Sequence, residues 1–114
     1  MGVLDALFKR PPAIVQSNPT DLYVPALAIA AMINLNMSNR VPQLRGYLPL
    51  NWVEVYNPST TTLSVRLESN GGEMFRVEAG SSRILRASFN NLIITNIGAF
   101  ALAANTAILT LQRV

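Results

Sequence analysis

Residues 51–80 read NWVEVYNPSTTTLSVRLESNGGEMFRVEAG, and this stretch decides the fold class. Over 51–57, Val53 and Val55 alternate with Trp52, Glu54 and Tyr56, the two-residue period of a strand with one face buried. Asn57-Pro58-Ser59 stops it. The alternation returns over 61–69, where Leu63, Val65 and Leu67 share one face and Ser64, Arg66 and Glu68 the other. Asn70-Gly71-Gly72 then turns the chain into a third strand carrying Phe75 and Val77. Apolar residues lined up on one face of successive short strands argue an antiparallel sheet that covers a core.

The pattern also predicts a register. A two-residue loop at Asn70-Gly71 would set Val65 opposite Arg76 and Leu63 opposite Glu78, mixing core with solvent. A three-residue loop of Asn70, Gly71 and Gly72 sets Leu67 opposite Phe75, Val65 opposite Val77 and Leu63 opposite Ala79, so the apolar face stays continuous. The three-residue loop is therefore expected. It faces Arg66 with Arg76, which Glu68 and Glu78 would offset diagonally by roughly a few tenths of a kcal/mol per pair.

The same grammar continues toward the C-terminus. Residues 79–82 turn into a strand over 83–87, and 88–91 lead into one over 92–97 that Gly98 closes. AFALAAN at 99–105 reads as a loop apolar enough to be buried, and 107–113 as the last strand, with Leu109 and Leu111 opposite in sense to Ile108 and Thr110.

Toward the N-terminus, ALAIAAMINLNM at 26–37 fits a buried helix through its alanines. It fits a strand through the alternation of Ile33, Leu35 and Met37 with Met32, Asn34 and Asn36. Asparagine is a poor helix-interior residue, which favours a strand over 29–37. Residues 38–50, SNRVPQLRGYLPL, hold two prolines and a glycine and read as the longest loop. Long ordered loops tend to carry function, which makes Arg40, Arg45 and Tyr47 candidates for contact with a partner. The competing reading is that Leu44, Tyr47, Leu48 and Leu50 cover one end of a sandwich.

Residues 11–25 carry four prolines and read as an extended arm with short strands at 13–16 and 22–24. Before them, Val3, Leu4, Leu7 and Phe8 fall at helical spacing, with Asp5 early, Lys9-Arg10 late and Pro11-Pro12 as the stop. So short a helix is not stable alone. Its apolar residues, with Ile14 and Val15, would dock on a neighbouring subunit or on their own domain, or else fray. The expected organisation is an arm over 1–25 and one domain over 26–114. The expected fold class is all-β: a single antiparallel β-sandwich or jelly-roll-like domain with a short N-terminal arm or helix.

Composition narrows function. Half of the 114 residues are hydrophobic and 13% are charged, where about a quarter is usual. Such a chain either buries surface against other copies or proteins, or covers itself with Ser, Thr, Asn and Gln. The net charge of +3 has no run longer than Lys9-Arg10, too dilute for a nucleic-acid footprint. The absence of Cys and His leaves no disulfide framework, thiolate or imidazole metal site, or histidine base. The glutamates are spread over several strands, and Gly71-Gly72 follows a hairpin pattern rather than a phosphate loop. No catalytic residue, cofactor, metal or small-molecule substrate is expected. The longest apolar run, 22–35, is shorter than the ~20 residues of a membrane span and contains a proline.

Arginines on strands beside Trp52 and Tyr56 raise a second possibility, a β-module that binds single-stranded nucleic acid through Arg and aromatic residues. Against it, the strand arginines alternate with glutamates.

The succession WVEVYNPSTTTLSVRL, FRVEAGSSRIL, FNNLIITNIG and AILTLQR, within 52–114, resembles small β-sandwich (jelly-roll-like) virion structural proteins of bacteriophages. Its marks are a strand ending in Asn-Pro, a Thr-rich strand, a V-x-A-G-S-S turn and a strand ending in I-T-N-I-G. The resemblance implies a capsid decoration, vertex or spike, or connector or tail component. Such a component would act in the virion as a symmetric homo-oligomer, a trimer or pentamer by way of example, among other virion proteins.

Overall fold

Eight strands form two antiparallel four-stranded sheets in the computed structural model, which describes residues 16–68 and 73–114. They are β1 (Thr20–Tyr23), β2 (Met32–Asn36), β3 (Trp52–Asn57), β4 (Leu63–Leu67), β5 (Met74–Val77), β6 (Ser81–Leu85), β7 (Asn91–Asn96) and β8 (Ile108–Gln112). One sheet runs β1-β8-β3-β6 and the other β2-β7-β4-β5. The pairs β1·β8, β2·β7, β3·β6 and β4·β5 are nested, first strand with last and so inward. This is the order of a long hairpin rolled up on itself, the jelly roll. The expected all-β sandwich is the observed fold.

Alternation builds the core. Val53, Val55, Leu109 and Leu111 from one sheet face Leu35, Leu63, Val65, Leu67, Leu92 and Ile94 from the other, all fully buried. Phe89, Leu50 and Met37 close the layer at one end, while Val24, Leu27, Leu102 and Ala107 close it at the other. Burying side chains of this size is worth roughly 1.5–3 kcal/mol each. The ambiguous 26–37 segment is a strand only over Met32–Asn36, with Ile33 and Leu35 turned inward, and residues 24–31 before it form a loop.

Four expectations change. The β4·β5 register pairs Leu63 with Val77, Val65 with Phe75 and Arg66 with Met74, two residues away from the predicted one. A shift of two keeps the same face inward, so hydrophobic patterning does not choose between the registers. The Asn57 side chain does: its amide donates to the carbonyls of Val77 at 3.2 Å and Glu78 at 3.4 Å, holding the end of β5 against the end of β3. Arg66 therefore does not face Arg76, and the ion pair found among the described residues is Arg76 with Glu78, at 3.3 Å.

Second, residues 38–50 are not a plain loop. A one-turn helix α1 (Met37–Arg40) is capped by Asn36, whose Oδ1 accepts from the Asn39 N–H at 3.1 Å. A 3-10 helix (Pro42–Tyr47) follows, with Pro42 at its start, where a missing N–H costs nothing. Third, β6 begins at Ser81, earlier than expected, because the turn is complete at Gly80 (φ +74) and the Ser81 N–H reaches the Glu78 carbonyl at 3.1 Å. Fourth, the 99–105 loop is exposed except for Leu102.

The segment 22–24 anticipated as a strand is realised as β1, inside the predicted arm and paired with β8. The predicted helix over 2–10, most of the 13–16 strand and the contacts given to Val3, Leu4, Leu7, Phe8, Ile14 and Val15 lie outside the described residues. Among the described residues no helix is long and apolar enough to cross a membrane.

Candidate assembly surface

Strand direction sorts every connection to one of two ends. The β1–β2 (24–31), β3–β4 (58–62), β5–β6 (78–80) and β7–β8 (97–107) loops gather at one end. The β2–β3 (37–51) and β6–β7 (86–90) connections gather at the other, where β4 ends and β5 begins. The chain enters this second end at Ser17 and leaves it at Arg113, where the two residues exchange backbone and hydroxyl hydrogen bonds of 3.0 and 2.7 Å.

Charge follows the same division. Residues 24–31, 58–62 and 97–107 contain no Asp, Glu, Lys or Arg. The fourth loop of that end carries Glu78, whose carboxylate is paired with Arg76. Arg40, Arg45, Arg86, Arg113, Glu68 and Glu73 all belong to the opposite end.

Two asparagines at the ends of strands organise the uncharged end. Asn96 closes β7 and is fully buried. Its amide nitrogen donates to the carbonyls of Leu27 (3.2 Å) and Phe100 (2.7 Å), and its oxygen accepts from Thr61 Oγ1 (2.6 Å) and the Gly98 N–H (3.1 Å). That fills the side chain's hydrogen-bonding capacity and ties three loops together. Asn57 closes β3, equally buried, and donates to the carbonyls of Thr61 (2.8 Å), Val77 and Glu78 while accepting from the Ser59 N–H (3.2 Å). It binds the β3–β4 loop to the β5–β6 loop.

Backbone bonds complete the arrangement. Leu27 and Leu102 exchange N–H and carbonyl at 3.0 and 2.8 Å, and Asn105 donates to Val24 at 3.0 Å. A Cβ on Gly98 would collide with Thr61 and lie 2.6 Å from the Thr62 nitrogen, so glycine there permits the loops to touch. Ala30 (φ 66) and Asn105 (φ 62), the non-glycine residues with positive φ among those described, both sit in these loops.

On this scaffold Ile29, Ile97 and Phe100 stand out into solvent, Ile29 and Phe100 each 58% exposed. Two further apolar groups lie on the outer sheet faces. Tyr23, Ile108 and Tyr56 are in register across β1, β8 and β3, beside a polar row of Asp21, Thr110 and Glu54 in which Thr110 Oγ1 donates to Asp21 at 2.9 Å. On the other sheet Met32 and Met74 are exposed, and Met74 sits opposite Arg66, whose Nε is buried without a hydrogen bond.

The sequence-predicted contact residues occupy the charged end. Arg45 Nε, on the 3-10 helix, donates to the Ser38 carbonyl of α1 at 2.7 Å. Tyr47 packs against the core and its carbonyl accepts from Arg113 at 3.3 Å, while Arg40 is exposed. Leu44 and Leu50 are buried and Leu48 packs on the core, which is the covering role. Arginine and aromatic residues are largely separated: Trp52, Tyr56 and Tyr23 lie on one sheet with two carboxylates, Arg66 and Arg76 on the other. Arg83 stacks on Phe75, 5.1 Å from the ring centre, where β6 and β5 meet at the sandwich edge.

Sequence reading missed Ile29, Ile97 and Phe100, since it placed the first two at the ends of the strands expected over 29–37 and 92–97 and the third in a loop, 99–105, expected to be buried. The available signal was the run of uncharged residues that follows each of two strand-ending asparagines, 58–65 after Asn57 and 97–112 after Asn96. Comparison of the chain with protein-family models, with curated proteins and with solved structures gives no match to any of them.

Proposed function

We propose that this chain is a structural protein of a virus particle, a decoration, vertex or spike, or connector component, acting by homo-oligomeric assembly and without catalysis. The observation that carries the assembly part is a jelly roll with large apolar side chains left in solvent on both sheet faces and on two of the three uncharged loops at one end. A domain that spends half its composition on hydrophobic residues and still exposes Phe100, Met32, Met74, Tyr23 and Tyr56 is suited to further burial against other protein. The particle assignment rests on the resemblance in 52–114. The jelly roll is compatible with it but hosts unrelated functions as well.

Light scattering on the full chain at micromolar concentration tests the assembly: a closed oligomer is expected, and a monodisperse monomer overturns it. Antibody labelling tests the location, with the chain expected on purified particles. Its recovery solely in the free protein fraction overturns the particle role. The nucleic-acid alternative predicts salt-sensitive retention on a single-strand column. The separation of Arg66 and Arg76 from the aromatic face, and the carboxylates of Asp21 and Glu54 on that face, argue for no retention.

A further inference from the structure

The geometry points to the uncharged loop end as the place where copies of this chain meet, and we propose that Ile29, Ile97 and Phe100 form that contact. The inference rests on the assembly reading above and names its surface. Three independent features converge there.

The first is charge. Around a rotation axis each residue near the axis meets its own copy, so any uncompensated charge meets a like charge. The loops 24–31, 58–62 and 97–107 have none, whereas the opposite end carries Arg40, Arg45, Arg86 and Arg113 against Glu68 and Glu73, a net excess of positive charge. A second copy of this chain is therefore the occupant that the uncharged end fits. Glu78 and Arg76, beside the fourth loop, are already paired with each other, and the charged end, with four arginines against Glu68 and Glu73, would meet its own copy with net positive charge on both sides.

The second is preorganisation. Asn96 and Asn57 fix all four loops from inside, so the three exposed side chains already have defined positions before contact. Ordering loops upon association costs affinity, and here that cost is largely met within the fold. The third is strain. Ala30 holds left-handed backbone in the loop that carries Ile29. Strain of this kind persists where surrounding structure enforces it, and it clusters at working surfaces.

The test is the mass of the full chain in solution, by sedimentation and light scattering, for Phe100→Glu, Ile29→Glu and the milder Phe100→Ser. Tyr56→Glu and Met32→Glu place the same charge on exposed apolar sites of the two sheets. Unchanged circular dichroism and melting identify folded variants. Loss of the oligomer, or at least a tenfold rise in the concentration at which it forms, is expected for the loop-end variants and not for the sheet variants. Wild-type mass in a folded Phe100→Glu and Ile29→Glu, or dissociation by the sheet variants instead, overturns the proposal while leaving the assembly reading intact. A monomeric wild type overturns the assembly reading itself. Ala101→Cys gives a check independent of destabilising charge, because the chain has no other cysteine and residue 101 is exposed in the same loop. Oxidation should link copies at low micromolar concentration, and failure to link an oligomeric variant counts against the surface.

Discussion

Asn57 and Asn96 reach the same residue from opposite sheets. The Asn57 amide donates to the Thr61 carbonyl at 2.8 Å, and the Asn96 oxygen accepts from the Thr61 hydroxyl at 2.6 Å. Thr61 is itself buried, so the β3–β4 loop is gripped on its backbone by one sheet and on its side chain by the other. Hydrogen bonds thus join the apolar contacts of Val24, Leu27, Leu102 and Ala107 in fastening the sandwich at this end.

Replacing Asn96 removes partners from two carbonyls, an N–H and a hydroxyl at once. A buried group left unpaired costs about 1–3 kcal/mol, and water reaching the gap recovers part of it, so Asn96→Ala should destabilise by about 3 kcal/mol. Asn96→Asp should be no better, because a carboxylate has no hydrogen to give to Leu27 and Phe100. Asn57→Ala should cost about 2 kcal/mol. The two alanine changes should combine non-additively through Thr61, measured by denaturant unfolding at fixed protein concentration.

Gly98 and Gly46 should respond in opposite ways to alanine. At Gly98 the new methyl meets Thr61 and the Thr62 backbone nitrogen, which no side-chain rotation relieves, so the two loops must separate at about 1–3 kcal/mol. At Gly46, in the 3-10 helix, nothing lies within 4 Å of the new carbon and the change should be neutral or stabilising by about 0.5 kcal/mol. Thermal melting of the pair settles both signs.

What the sequence disclosed divides along physical lines. Strands with one buried face announce themselves by alternation, and β3, β4, β7 and β8 fall within a residue or two of their expected limits. The β4·β5 register was not legible, since a shift of two preserves every inward residue and the deciding contact comes from Asn57, outside the hairpin. The helical turns at 37–47 were hidden by Pro42 and Gly46, residues that read as breakers yet here start a helix or sit within it. The candidate surface was hidden for a different reason. Hydrophobic runs imply burial by default, so a loop that exposes Phe100 looks on paper like one that buries it. Asn57-Pro58 and Asn96-Ile97-Gly98 were visible as strand endings, but their grip on distant loops depends on the rolled topology.

Ala30 offers a test of stored strain. Left-handed backbone costs a residue with a Cβ about 1–2 kcal/mol, while glycine gives back about 0.4–1 kcal/mol through its freer unfolded chain. Ala30→Gly should therefore stabilise the fold by up to about 1 kcal/mol. Ala28→Gly, without positive φ in the same loop, should destabilise it. Asn105→Gly should change little, as asparagine tolerates this conformation. A stability order by denaturation other than Ala30→Gly above wild type above Ala28→Gly would mean that the loop is held differently.

The β4·β5 register can be read directly with cysteines, because the chain contains none of its own. Ser64 lies opposite Arg76, and both belong to the outer face of their sheet, away from the core. In the register expected from patterning alone, Arg66 would be the residue opposite Arg76, and Ser64 would be displaced by two positions along the strand. A disulfide requires Cα atoms within about 7 Å, which a directly opposed pair satisfies. A partner two residues away along the strand lies near or beyond that limit. Ser64→Cys with Arg76→Cys should therefore oxidise readily in the folded protein, detected by thiol titration and by mobility on a non-reducing gel. Arg66→Cys with Arg76→Cys should remain largely reduced under the same conditions. Since Ser64 is nearly buried beneath Met74, the linked variant should also keep its melting temperature or gain a few degrees. Faster oxidation of the Arg66 and Arg76 pair would restore the three-residue loop and detach Val77 and Glu78 from the Asn57 amide.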